Sequence, residues 1–191
     1  MNKKKGLRIV FNSPVILCFA AICLIATVLG ILSSGSISRT FFMTYRSSLA
    51  NPLTWLRAIT HVFGHSGWDH FLGNMSFILL LGPMLEEKYG SSNIIGIILC
   101  TALATSIVNG IFFPGSAIMG ASGVVFAFIL MTSFTEFGDG EIPITFILVA
   151  ALYLGKEVAN GLFVRDNISQ LGHILGGITG AIFGYWWNKR S

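Results

Sequence analysis

Charge is what this sequence has least of. Twelve Lys/Arg and eight Asp/Glu in 191 residues make it 10% charged, against about 25% for soluble domains. With 53% apolar residues and a mean hydropathy of +0.76, one small globule cannot hide the apolar surface, so the bilayer must be the solvent. Acids are scarcer than bases, and the pI of about 9.2 reflects that shortage. The bases form no nucleic-acid patch: Lys3, Lys4, Lys5 and Arg8 stand at one end, and Lys189 and Arg190 at the other. Both groups read as cytoplasmic anchors, and nucleic acid is excluded as a partner. Cysteine is scarce too. Cys18, Cys23 and Cys100 all lie in apolar runs, and an odd number in such settings excludes a disulfide framework. No cofactor is expected.

Long apolar runs are abundant. Six read as spans: Pro14–Ser33, Asp69–Leu85, Asn93–Phe113, Ser122–Phe134, Ile142–Gly155 and Gln170–Trp187. A bilayer core of ~30 Å needs about 20 apolar residues, and the fourth and fifth runs are short by that rule. The expectation is an all-α polytopic membrane protein. It has one six-span domain over 14–187, with cytoplasmic tails at 1–13 and 188–191. Ser34–Trp68 reads as a long first outer loop carrying Arg39, Arg46 and Arg57. The first run precedes "SSGSIS", which resembles a signal-peptide cleavage site, but it reads as an uncleaved helix because the rest of the chain is also membrane-embedded. Lys and Arg near the span ends favour an N-in, C-in arrangement.

In that topology spans two, four and six all start at the outer face. His70, Ser122 and His173 stand at those three starts, at one depth. Polar side chains in a membrane are costly and face a protein interior or a water-filled cavity. His70 and Asn74 are four apart and share a helical face. They serve either as bonds between helices or as donors to a developing oxyanion. Gly172, Gly176, Gly180 and Gly184 recur every four residues, a small-residue stripe that lets another helix approach closely. Gly120, Gly123 and Ala127 offer the small partners in span four. Close packing would bring Ser122 and His173 within ~2.6–3.2 Å. That pair is the minimum for nucleophilic catalysis, with the histidine taking the hydroxyl proton and returning it to the leaving group. Glu86, Glu87, Glu136, Asp139 and Glu141 fall near the inner face, and Asp69 lies on span two, so the expectation is a dyad rather than a triad.

Five stretches carry a family resemblance: "GASG" (Gly120–Gly123), "HSGWDHFLGN" (His65–Asn74), "GHILGGITG" (Gly172–Gly180), "WLRAITHVFGH" (Trp55–His65) and "EEKYG" (Glu86–Gly90). In this order on six spans they resemble a rhomboid intramembrane serine protease of the bacterial six-span type, over about residues 52 to 187. The resemblance implies a six-helix rhomboid bundle with Ser122 as nucleophile and His173 as general base and acid. It implies an oxyanion hole from His70, Asn74 and the Ser122 backbone N–H. Arg57, His61 and His65 would be structural, and Glu86 would hold the inner end. The residue four after the nucleophile is commonly Tyr, stacked on the histidine; here it is Phe126, which keeps the stacking face and loses the hydroxyl. The implied substrates are single-span membrane proteins, cut in or near their transmembrane segment. The implied setting is the bacterial cytoplasmic (inner) membrane, in contact with lipid. The fifth span and the loop Phe112–Met119 would form the gate, and water would enter from outside.

Two other readings compete. His61 and His65 are four apart, a spacing that can bind zinc on one helical face, as in a membrane metalloprotease. No Glu follows His61 in an H-E-x-x-H pattern, so no metal is expected. The second is a catalytically inactive rhomboid-like scaffold, or a transporter with a polar midplane site.

Overall fold

The computed structural model describes residues 11–133, 142, 144–149, 151–152 and 167–188, with side chains of the last stretch described from 172 to 187. Its long helices are α1 (Pro14–Leu32), α4 (Trp68–Tyr89), α5 (Ser91–Phe112), α6 (Ser122–Thr132) and α7 (Asn167–Asn188). By length and composition, α1 and α5 are each apolar enough to cross a membrane. The fifth expected span, Ile142–Gly155, falls largely outside the described residues, as do Glu136, Asp139 and Glu141. Residues 144–149 are helical, and Phe146 and Val149 pack on the core.

Helix α6 lies at the centre. It is apolar on every side, and Gly123, Val124, Val125, Ala127, Phe128, Ile129, Leu130 and Met131 are all buried. A helix apolar all round must be surrounded, and α4, α5 and α7 all pack against it. Eleven residues give it only about 16 Å, roughly half the ~30 Å hydrocarbon thickness.

Close helix approach comes from glycine. A methyl group built on Gly176 would overlap the Gly123 carbonyl, and one on Gly180 the Ala127 carbonyl. The carbonyl of Gly172 lies 3.3 Å from where a Cβ of Gly123 would stand, while no atom of the described residues stands within 4 Å of the Gly172 Cβ position. Gly184 is buried farther along α7.

The stretch expected as a long loop is folded. It holds α2 (Ser36–Phe41), β1 (Thr44–Tyr45), α3 (Pro52–Thr60) and a 3₁₀ turn (His61–Phe63). Helix α3 starts where Asn51 Oδ1 accepts the Leu53 N–H at 3.0 Å, with Pro52 in the first turn, a position where its missing N–H costs nothing. Strand β1 pairs antiparallel with β2 (Ala117–Ile118), Thr44 facing Ile118. That ladder ties this segment to the loop ahead of α6. Reading apolar runs alone finds spans and passes over elements this short.

At the opposite end, Glu86 is buried (4% exposed). Its carboxylate accepts the backbone N–H groups of Val15 at 3.1 Å and Ile16 at 3.0 Å, and the Ser91 hydroxyl at 2.6 Å. An anion here meets unpaired donors and the positive end of α1. Ile16 inserts against Gly82, where any Cβ would stand 2.6 Å from its Cδ1. Replacing Glu86 by Ala strands three donors, and the expected loss is about 2–3 kcal/mol, read as a lowered thermal midpoint in detergent. Glu86→Gln, which keeps one acceptor, is expected to lose less.

Candidate active site

Ser122 is the first residue of α6, half-buried, after Ala121 as N-cap. The N–H groups of the first helical turn have no partner within the helix, so the head of α6 presents donors and a partial positive charge. Just before it, Gly120 has φ +128°, a conformation side-chain-bearing residues rarely adopt. Its N–H donates to the His61 carbonyl at 2.9 Å. A Cβ at Gly120 would stand 2.6 Å from His70 Cε1, 2.7 Å from His70 Nε2 and 3.7 Å from Asn74 Nδ2. The glycine therefore lets the first turn of α4 press against the chain leading into Ser122.

His70 and Asn74 share one face of α4, as their spacing requires. The Asn74 Nδ2 is buried and donates to no atom among the described residues. Leaving a buried donor unused costs about 1–3 kcal/mol, and such groups in native proteins call for a partner absent from the fold itself. On α7, His173 stacks flat on Phe126, with ring centroids 4.4 Å apart and planes 7° from parallel. Four residues after Ser122, Phe126 projects from the same face of α6 as Ser122, so the stacking draws the imidazole to that face.

These groups line one cavity of about 550 Å³, into which Ser122, His173, His70, Asn74 and Gly120 all reach. Among the described residues, no Asp or Glu lines it. Its walls also include Thr101 and Thr105 of α5, Met43, and Ala117–Met119 of the loop before α6. No residue of α5 was expected at the site from the sequence. The signal was there: Thr101, Thr105, Ser106 and Asn109 are buried polar residues at i, i+4, i+5 and i+8, a polar stripe in an otherwise apolar run. They hold the site's frame. Thr105 Oγ1 lies 3.1 Å from His61 Nε2, Ser106 Oγ 2.7 Å from Thr44 Oγ1, and Asn109 Nδ2 donates to the Ser116 carbonyl at 3.2 Å.

Arg57 is 3% exposed. Its Nη1 donates to the Tyr45 hydroxyl at 2.8 Å, and its guanidinium lies 4.2 Å from the centre of that ring, a cation–π placement. Both nitrogens of His61 are engaged, Nδ1 with the Arg57 carbonyl at 3.3 Å and Nε2 with Thr105. His65 packs edge-on against His70 at 5.0 Å and Phe71 at 5.6 Å. Both ring nitrogens of His61 thus already face protein partners. Among the described residues, no three of His, Cys, Asp and Glu gather.

Burial pushes His61 down from its ordinary 6.5 to about 4. Burial and the neighbouring His70 do the same to His65. Between those values the unfolded chain binds protons that the folded one refuses, so stability rises with pH across that window. The stabilisation is complete above about pH 6.5 and drains away as pH falls toward 4. Thermal midpoints measured in detergent from pH 7.5 to 4.5 are expected to fall through this range, and less steeply in a His65→Asn variant.

The fold and the site define a helical membrane protein with a serine, two histidines and an asparagine gathered at the heads of three helices. Residues 52–190 match the Rhomboid domain, and the chain belongs to the rhomboid family. It is 30% identical over 138 residues to Rhomboid-related protein 1 of Caenorhabditis elegans, covering 68% of this chain and 39% of that protein. It is 27% identical over 147 residues to Rhomboid protease GluP of Bacillus subtilis, covering 74% of this chain and 28% of GluP. To Rhomboid protease GlpG of Haemophilus influenzae it is 26% identical over 132 residues, covering 68% of each. The chain spans about two-fifths of the length of relatives such as the C. elegans protein.

Proposed function

We propose that the chain is an intramembrane serine endopeptidase that cleaves single-span membrane proteins through a Ser122–His173 dyad. Ser122 Oγ attacks the scissile carbonyl while His173 accepts its proton. His173 then protonates the leaving amine, and water hydrolyses the acyl-enzyme by the same route in reverse order. The negative oxygen of each tetrahedral intermediate is met by Asn74 Nδ2, His70 Nε2–H and the Ser122 backbone N–H. The head of α6 adds its partial positive charge. The observation that carries this reading is the unused, buried Asn74 donor opening on the cavity shared by Ser122, His70 and His173. Two relatives named as rhomboid proteases support it.

The topology that suits this chemistry has six spans in a 14–187 domain, with both tails cytoplasmic and the site near the outer face of a bacterial cytoplasmic membrane. Water reaches Ser122 from outside, and substrate enters past the fifth span and the loop before α6. A transmembrane helix hides its peptide bonds until it unwinds, so substrates with small and helix-breaking residues near the outer end of their span are cut fastest. Arg57, His61 and His65 frame the outer segment, and Glu86 fastens α1.

The test is cleavage of a model single-span substrate by the purified protein in detergent, with and without a chelator. Cleavage that a chelator leaves untouched and that rises when a helix-breaking residue is placed near the scissile bond is the expected result. Cleavage abolished by the chelator would overturn the serine reading.

A further inference from the structure

Three histidines fall within ten residues, and the partners of their Nδ1 atoms are not alike. Nδ1 of His61 lies 3.3 Å from the Arg57 carbonyl oxygen, and Nδ1 of His65 lies 3.2 Å from that of Phe63. A carbonyl only accepts, which favours the proton on Nδ1 of His65, whose Nε2 has no partner among the described residues; in His61 the Thr105 hydroxyl at Nε2 also bears on the choice. His70 differs. Its Nδ1 lies 3.2 Å from the Ser66 hydroxyl, a group that can donate.

We infer that Ser66 is a positioning residue, whose hydroxyl donates to His70 Nδ1 and holds the neutral ring in its Nε2–H tautomer. The inference rests on the reading of His70 as an oxyanion donor, and it says what makes that donor available. The opposite edge of the ring faces the active site: Nε2 stands 2.7 Å, and Asn74 Nδ2 3.7 Å, from the position a Gly120 Cβ would take. Both nitrogens thus converge on the chain entering α6. A proton on Nδ1 would turn a bare lone pair of Nε2 toward the developing negative oxygen and repel it. A backbone carbonyl at the place of the Ser66 hydroxyl would favour that wrong tautomer, as the Phe63 carbonyl does in His65. Ser66 stands just ahead of α4, whose N-cap is Gly67, so its bond to His70 spans the first turn and also sets the ring's rotation. His65, edge-on to His70, has its own Nδ1 turned to Phe63 and supplies no hydrogen bond in its place.

The experiment compares wild type, Ser66→Ala and Ser66→Thr in detergent, by substrate cleavage and by ¹⁵N shifts of the His70 imidazole. Ser66→Ala is expected to lower kcat about 3- to 10-fold, the size of one neutral hydrogen bond, with KM unchanged. The ¹⁵N shifts should show a new Nδ1–H population. Ser66→Thr, which keeps the hydroxyl, restores both. An unchanged kcat in Ser66→Ala, or a loss of activity with the tautomer unaltered, overturns the assignment. Cleavage that survives Ser122→Ala overturns the serine-dyad reading instead, and the nitrogen shifts still decide the role of Ser66.

Discussion

Ser122→Ala is expected to lower cleavage by about 10³-fold or more and to leave the thermal midpoint nearly unchanged. The serine is half-buried at the head of α6 and lines the cavity, so its hydroxyl can be removed without opening the core. His173→Ala should cost activity to the same degree. It should also lower stability slightly, because it removes the ring stacked on Phe126, a contact worth about 0.5–1.5 kcal/mol. The double variant is expected to be no worse than either single one. A nucleophile and its base act as one unit, and losing either leaves only what the oxyanion donors and substrate binding supply. Phe126→Tyr keeps the stack, so it should retain most of the activity.

Gly176→Ala carries the second large effect, in both activity and stability. The added methyl would meet three backbone atoms of Gly123, with the carbonyl carbon at 2.7 Å and the Cα at 2.8 Å. Backbone atoms of a central helix cannot turn aside as a flexible side chain can. The helices α6 and α7 must therefore separate, and overpacking of this kind costs about 1–3 kcal/mol. The same shift moves His173, three residues earlier on α7, away from Ser122, which stands beside Gly123. A displacement near 1 Å at a reacting pair can cost about 10²-fold in rate. Gly96→Ala on α5, where no atom of the described residues stands within 4 Å of the Cβ position, is the control. It should leave cleavage intact and stabilise by about 0.5–1 kcal/mol through helix propensity. Cleavage rates and thermal midpoints of the two variants, measured side by side, check both effects.

What the sequence made legible follows from the solvent it implies. In an apolar span a single histidine, serine or asparagine stands out, so His70, Asn74, Ser122 and His173 are conspicuous in the chain itself. The four-residue glycine stripe named α7 as a close-packing helix, and its Gly176 and Gly180 do meet the backbone of α6. The membrane class and the rhomboid family were legible for the same reason. The region from Ser34 to Trp68 was not. Its short helices and two-residue strand are stabilised by contacts with α1, α5 and the loop before α6, which leave no periodicity in so short a run. Nor did α6 betray its central position, because a helix apolar on all sides has no face to read. The threonines of α5 do not stand out in the sequence, because threonine in a membrane helix commonly bonds back to its own backbone. Here Thr105 does that, toward the Thr101 carbonyl at 2.8 Å, and also meets His61. Ser66 had a similar disguise: a serine beside glycine ahead of a helix reads as a cap, whereas its hydroxyl reaches His70.

The most direct measurement is labelling with a fluorophosphonate, which phosphonylates only a serine activated by a neighbouring base. The purified protein would be reacted in detergent, digested and mapped by mass spectrometry. One adduct is expected, on Ser122, lost in Ser122→Ala and strongly slowed in His173→Ala and Asn74→Ala. An unlabelled Ser122 in a protein that cleaves its substrate, or a labelling rate indifferent to His173, would contradict the Ser122–His173 dyad.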